Sequence, residues 1–294
     1  MLDSEIVMHL PAPKVSIIIR ACNVARFLSA ALQSVIEQDY TDWEALILND
    51  NSDDDTEAAA TPFLEKDRRF KYVKNITRLG RAGNLNLGLS LAQGKYISIL
   101  DGDDCWCSTL TLTRTIAALE EKPEVVLVAV SVAEIDEHGS GILRYFPNTW
   151  REDRDIKQRL LIENCISQNA ACFRRAHALA LKGYNERLKY TEDYDLWLRL
   201  GLRGKIIKLP DVLAHYRIHH KSVGITHRRR QILEELRVIT RYRASYPHLG
   251  LGIVHRLVNF IATFIPKALR RSIARTMQYH DIRTKILDTI TSRA

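Results

Sequence analysis

The chain has 294 residues, 46% of them hydrophobic and 27% charged, which suits one large domain, or one domain plus an appendage, and excludes a disordered or low-complexity protein. It has no run of 18 uninterrupted apolar residues, which argues against a transmembrane span, and residues 1–14 carry Asp3 and Glu5 without a basic start, which argues against a signal peptide. The formal charge of +8 is uneven: residues 226–294 hold 14 Lys and Arg against 4 Asp and Glu, while the preceding 225 residues hold 29 against 31.

Along the chain, short apolar runs alternate with helical periodicity. Residues 15–19 read as a buried strand, and 25–38 as a helix with Phe27, Leu28, Ala31, Leu32, Val35 and Ile36 on one face. A strand at 44–48, a helix at 55–66, a short strand at 71–74, a helix at 81–92 and a strand at 96–100 follow. Next come a helix at 108–121 and a strand at 125–132. Strands are expected again at 167–173, 205–209 and 212–218, and a helix at 191–202. The remainder is helical: 228–245, 253–277 and a short end helix. The alternation predicts a mostly parallel sheet covered on both faces, with ligands beyond the carboxyl ends of the strands. The loops after Ile19, Leu48 and Leu100 are therefore the places to look. Five cysteines (Cys22, Cys105, Cys107, Cys165 and Cys172) form no CxxC pair, so neither a disulfide framework nor a zinc knuckle is expected, and a reducing compartment fits.

The loop after Leu100 is Asp101-Gly102-Asp103-Asp104. Clustered carboxylates repel one another unless a cation joins them, and hard oxygen ligands suit Mg2+ or Mn2+. Such an ion neutralises a diphosphate leaving group. The alternative is an acidic turn capping the helix near Ser108, a role that suits Asp104 in particular. The loop after Leu48 is Asn49-Asp50-Asn51-Ser52, a carboxylate and amides that can bond a nucleobase edge or merely lead into a helix. In the helix from Thr191, Asp195 and Arg199 read as a surface i,i+4 pair. Glu192 and Asp193, in its first turn, are either dipole partners or a general base with its neighbour. Ser167-Gln168-Asn169 is a candidate acceptor-site lining, and Trp106 is expected to pack against a neighbouring loop.

In this order the motifs resemble the family 2 glycosyltransferases over residues 14–224. The resemblance runs through Ile17–Asn23, Ser34 to Glu44 with Gln38, Tyr40 and Trp43, the Asp50 loop, Asn86 to Tyr96, the Asp101 loop, Glu192 to Leu200, and Tyr216 to His219. It implies an α/β, A-type, Rossmann-like fold: a mostly parallel mixed sheet flanked by helices, with a C-terminal helical extension. Residues 1–13 would be an N-terminal extension, 14–104 a nucleotide-binding half, 105–224 an acceptor-binding half and 225–294 a basic tail. Asn23, Asp50, Ser52, Asn86, Asp101 and Arg20 would meet the nucleotide-diphosphate sugar. Asp103, Asp101 and His219 would hold Mg2+ or Mn2+. Asp193 would be the base, with Glu192 beside the acceptor. The implied reaction is inverting transfer, with UDP-sugars the favoured donors, to a hydroxyl of a glycan or lipid-linked acceptor in bacterial cell-surface polysaccharide synthesis. Arg20, Cys22 and Asn49 depart from the family's usual proline, aromatic and acid, and leave the nucleobase open. The alternative is a non-catalytic member that binds a nucleotide or a partner.

In the tail, Ile253, Val254, Leu257, Val258, Ile261, Phe264, Ile265, Ala268 and Leu269 share a helical face, with Arg256, Lys267, Arg270 and Arg271 off its centre and a kink expected at Pro266. Residues 253–271 could lie in an anionic membrane interface or pack on protein. The expected location is cytoplasmic, and the membrane reading puts the chain on the inner face of the plasma membrane. Nucleic acid is not an expected partner, because no aromatic platform accompanies the charge.

Overall fold

The computed structural model describes residues 12–146, 150–220 and 222–265. In chain order the first half comprises β1 (Val15–Ala21), α1 (Ala25–Ile36), β2 (Trp43–Asn49), α2 (Thr56–Lys66), β3 (Phe70–Lys74), α3 (Gly80–Leu91), β4 (Tyr96–Asp101), β5 (Cys105–Trp106) and α4 (Thr111–Glu121). Then come β6 (Val125–Ile135), β7 (Ile142–Tyr145), α5 (Asp153–Arg159), β8 (Cys172–Arg174), α6 (Arg175–Ala180), α7 (Glu192–Gly201) and β9 (Lys205–Arg217). Three helices follow: α8 (Val223–Thr226), α9 (Arg228–Arg241) and α10 (Leu249–Ala262).

One sheet runs β3-β2-β1-β4-β8-β6-β9-β5, with β7 paired to β6. The pairings among β3, β2, β1 and β4 are parallel, and β8 then joins β4 antiparallel. β2 and β4 are buried at every residue, and β1 at all but Arg20, because helices cover both faces; this is why the strands read as unbroken apolar runs. One core lies against α1 and α4, around Leu28, Leu32, Leu112 and Ile116. The other lies against α3, α7 and α9, around Leu85, Trp197, Val238 and Ile239. Gly88 lets α3 sit down on the sheet: a Cβ there would come within 2.7 Å of Ile18 and Leu48.

Several elements differ from the sequence expectation. The helix expected from residue 108 begins at Thr111, and the Ser108 hydroxyl accepts from Leu110 N at 3.2 Å ahead of it. The strand expected at 167–173 shrinks to β8, because Ala170 takes a φ of 60° and turns the chain. The strands at 205–209 and 212–218 are one strand, β9, which passes Pro210 with register shifts against β6. β7 was not expected: its four residues are all exposed and show no alternation.

α9 begins where expected but ends early, at Arg241, and α10 both starts early, at Leu249, and ends early, at Ala262. Residues 266–277, with the Pro266 kink, and the end helix lie outside the described residues, as do residues 1–11. Arg256 was expected off the centre of the apolar face, either toward a membrane interface or toward protein. It is 1% exposed, donating to Leu161 O and Ile162 O at 2.8 Å and to the Tyr194 hydroxyl at 3.1 Å, and ion-paired with Glu235. A buried guanidinium is tolerated only with such partners. Among the described residues no helix is long and apolar enough to cross a membrane.

Candidate active site

The carboxyl ends of β1, β2 and β4 lie side by side, with Arg20 of β1 opposite Asp101 of β4 and Ala21 opposite Asn49 of β2. Two loops are stitched together there. Asn23, held at a φ of 56°, donates its N–H to the Ser52 hydroxyl at 2.9 Å and accepts from Asp53 N at 2.8 Å. Ser52 N in turn donates to the Asn49 side chain at 2.8 Å.

Asp50 is buried at the start of α3. It accepts from Asn75 Nδ2 at 2.9 Å, Leu79 N at 2.7 Å and Gly80 N at 2.9 Å. Those bonds use three of about four lone-pair sites on a carboxylate, so Asp50 shapes the turn into α3. Its charge also faces the positive end of the helix.

Asn86 does not join this group. Its side chain accepts from Tyr184 N at 2.7 Å and donates to Tyr184 O and Glu186, holding the loop that follows α6. About 100° of helical rotation per residue puts Asn84, and not Asn86, against the end of β2, where Asn84 donates to Leu48 O at 3.0 Å.

At the end of β4, single oxygens of Asp101, Asp103 and Asp104 lie within 4.8 Å of one another. Asp101 accepts both Arg20 Nε at 3.0 Å and a second Arg20 nitrogen at 2.7 Å. Asp103 Oδ2 lies 2.9 Å from His219 Nε2, and Arg217 Nε donates to the Asp103 carbonyl at 2.9 Å. Asp104 is no helix cap. It is 1% exposed, Oδ1 accepts from Arg217 N at 2.7 Å, and Oδ2 is buried without a hydrogen-bond partner. Burial, with the charges of Asp103 and Asp101 beside it, pushes the Asp104 carboxyl well above its ordinary range. Burial works in the same direction on Asp103, but the His219 hydrogen bond and the Arg20 charge outweigh it and hold that carboxyl below its usual value. One ionised acid, one buried acid with a free oxygen and a third acid within reach are a donor set that fits a hard divalent ion. His219 belongs to the set only through its bond to Asp103.

α7 brings two more acids. Glu192 is fully buried and accepts from Arg81 Nε at 2.6 Å. Asp193 lines a cleft of about 640 Å³ together with Arg81, Asp101, Asp104, Gln168 and Asn169. Burial and the Glu192 charge, opposed by Arg81, push its carboxyl up to about 7. Arg81 was not singled out in the sequence. The only available signal was a lone cation in the first turn of a helix, where the dipole disfavours one.

Asp195 is not a surface residue. It is 1% exposed and accepts from Arg199 Nε at 2.8 Å, Arg241 at 3.2 Å and the Tyr242 hydroxyl at 2.9 Å, joining α7 to α9. The i,i+4 reading took that face as solvated, but α9 covers it. Ser167, Gln168 and Asn169 all reach the cleft. Trp106 is 4% exposed and packed under α1, away from the cleft.

The glycosyl transferase family 2 profile matches residues 16–179. An uncharacterized glycosyltransferase of Haemophilus influenzae is 27% identical over 260 residues, covering 85% of this chain and 79% of its own. The amylovoran biosynthesis glycosyltransferase AmsE of Erwinia amylovora is 34% identical over 140 residues, 47% of this chain and 51% of its own. Among solved structures, Staphylococcus aureus TarS 1–349 in complex with UDP-GlcNAc superposes with a TM-score of 0.65 at 18% identity, over 84% of this chain and 71% of that one. The mannosyltransferase PcManGT of Pyrobaculum calidifontis, in complex with GDP-Man and Mn2+, gives 0.65 at 19% identity over 93% and 83%. The two structural neighbours establish the A-type glycosyltransferase fold. With that fold, and with the family profile spanning more than half of its length, the chain belongs to glycosyl transferase family 2.

Proposed function

We propose that this chain carries out metal-dependent, inverting transfer of a sugar from a nucleotide-diphosphate donor to a hydroxyl of a glycan or lipid-linked acceptor. UDP is the preferred nucleotide, and the pathway is the assembly of a bacterial cell-surface polysaccharide. The observation that carries this reading is a convergence: Asp101 and Asp104 of the acidic cluster and Asp193, whose carboxyl is raised to about 7, line the same cleft.

The residues divide the work as follows. Asp103 and Asp104, with Asp101 beside them, would hold Mg2+ or Mn2+, and the unpartnered Asp104 Oδ2 is the oxygen that most lacks a partner. That ion, when bound, offsets the charge that builds on the departing diphosphate. Arg20, already on Asp101, would meet a phosphate oxygen of the donor. Asn23, Asp50 and Ser52 would contact the nucleotide. Asp193 takes the acceptor proton as the acceptor oxygen bonds to the anomeric carbon, while the carbon–oxygen bond to the diphosphate breaks and its electron pair leaves with the diphosphate. A base raised to about 7 is well matched to that proton transfer near neutrality. Glu192 keeps Arg81 in place and thereby sets the charge around Asp193.

UDP-GlcNAc in TarS and GDP-Man with Mn2+ in PcManGT support a nucleotide-sugar donor and a metal. The naming of AmsE for amylovoran biosynthesis supports the polysaccharide setting.

The test is UDP release from UDP-sugars in Mn2+ by the wild type, Asp103→Ala and Asp193→Asn. A loss of about 100-fold or more is expected in each variant. Equal turnover in all three proteins would sink the reading and favour a non-catalytic nucleotide-binding protein.

A further inference from the structure

α10 is turned the wrong way round for a helix that faces water. Its polar side chains point inward: Arg256 is bonded to Leu161 O, Ile162 O, Tyr194 and Glu235, and His255 Nδ1 lies 2.7 Å from Ile162 O. Gly252 permits this seating, since a Cβ there would lie 2.1 Å from Leu161 O. Its apolar side chains point outward. Val254, Leu257, Val258, Ile261 and Phe264 are 46% to 63% exposed, at the i, i+3, i+4, i+7 spacing of a single stripe. Leu233 of α9, 47% exposed, lies one turn from Arg229, whose guanidinium stacks over Phe264 at 3.9 Å, so α9 widens the patch. A contiguous apolar face of this kind marks a contact surface.

Charge and position say what covers it. Residues 226–294 carry 14 Lys and Arg against 4 Asp and Glu, which opposes a second copy of the same basic surface and favours an anionic one. Within residues 266–294 the balance is 7 to 2, the same sign as in residues 226–265, so charge opposes that segment as the cover of the face. The opposite side of α10 supplies His255 and Asn259 to the lining of the cleft that holds Asp193, as does Ile225, which is 47% exposed.

We propose that the outward face of α10 docks on an anionic lipid bilayer and so keeps the cleft, which the opposite side of the same helix lines, close to the membrane that would carry a lipid-linked acceptor. The acceptor class rests on the transferase reading; the docking does not.

The test uses the full chain with vesicles of phosphatidylcholine alone or with added phosphatidylglycerol. Wild type is expected to sediment with the anionic vesicles at least about 10-fold more than with the neutral ones, and less at high salt. Leu257→Glu/Ile261→Glu is expected to lose that partitioning about 10-fold while keeping the wild-type melting temperature and Mn2+–UDP affinity. UDP release is expected to rise with vesicles of bacterial lipid extract for wild type and not for the variant. The docking is overturned by wild type that stays in the supernatant with both vesicles, or by a variant that sediments as wild type does. A concentration-dependent dimer abolished in the variant would assign the face to a second copy and overturn it equally. Vesicle binding without Mn2+–UDP binding would instead count against the transferase reading alone.

Discussion

Arg20 occupies a position where the family commonly has proline, and the structure shows what it does there: it forms a two-point ion pair with the first acid of the cluster. Removing it leaves three carboxylates with one fewer cation beside them. Arg20→Ala is therefore predicted to tighten Mn2+ binding in the absence of nucleotide by about 1–2 kcal/mol, roughly tenfold, and to weaken UDP binding in its presence. Calorimetry with Mn2+ alone checks this, and an unchanged affinity would show that Arg20 contributes no charge to the site. Asp193 makes a second residue-scale prediction. Its carboxyl, raised to about 7, must be ionised to act as a base, so kcat/KM should fall on the acid side of about pH 7. Glu192→Gln removes a like charge and leaves Arg81 uncompensated, so the limb should move to lower pH; a limb that stays in place contradicts the assignment. The linkage has a definite sign. Folding favours protonated Asp193, so its contribution to stability is fully present below about pH 4 and is lost as pH rises through about 7. Asp193→Asn should accordingly stabilise the protein at pH 8, by up to about 2 kcal/mol for this partly exposed side chain, and leave it unchanged near pH 4.

At the scale of elements, β1, β2 and β4 were legible because strands buried on both faces are continuous apolar runs, and the rule that ligands gather at their carboxyl ends pointed to the loops that matter. The Asp101 loop was legible for the same reason, and the first turn of α7 through the resemblance carried by Glu192 to Leu200. What the sequence hid depends on neighbours distant in the chain. Asn86 and Asn84 are two residues apart on one helix, and only the packing of α3 on β2 shows which faces the sheet. Asp195 reads as a surface partner of Arg199 until α9 covers it. Arg81 finds Glu192 across 111 residues. The Asp195 joint yields a stability prediction: Asp195→Ala leaves Arg199, Arg241 and Tyr242 without their shared acceptor and should cost about 3–5 kcal/mol in chemical denaturation. A cost below about 1 kcal/mol would mean that α9 is held by its apolar contacts alone.

For the whole molecule, the sheet is what makes the site. β1, β2 and β4 carry the Arg20, Asp50 and Asp101 loops; β8 is the antiparallel strand between β4 and β6, and β9, parallel to β6, ends where Arg217 and His219 close on Asp103 and Asp104. α7 delivers Asp193 to the same cleft, and α10 adds His255 and Asn259 to its lining. The amphipathic character of the tail was visible in its sequence, but its orientation was not, because a helical wheel cannot show that Arg256 is the residue facing the protein. The central claim is that the acidic cluster makes nucleotide binding depend on a metal. Its most direct test is the melting temperature of the wild type and Asp103→Ala with UDP or GDP, with and without Mn2+. UDP together with Mn2+ should raise the wild-type midpoint by about 3–5 °C, with little shift from UDP alone and none in Asp103→Ala. A UDP shift of the same size without Mn2+, or one retained in Asp103→Ala, would contradict it.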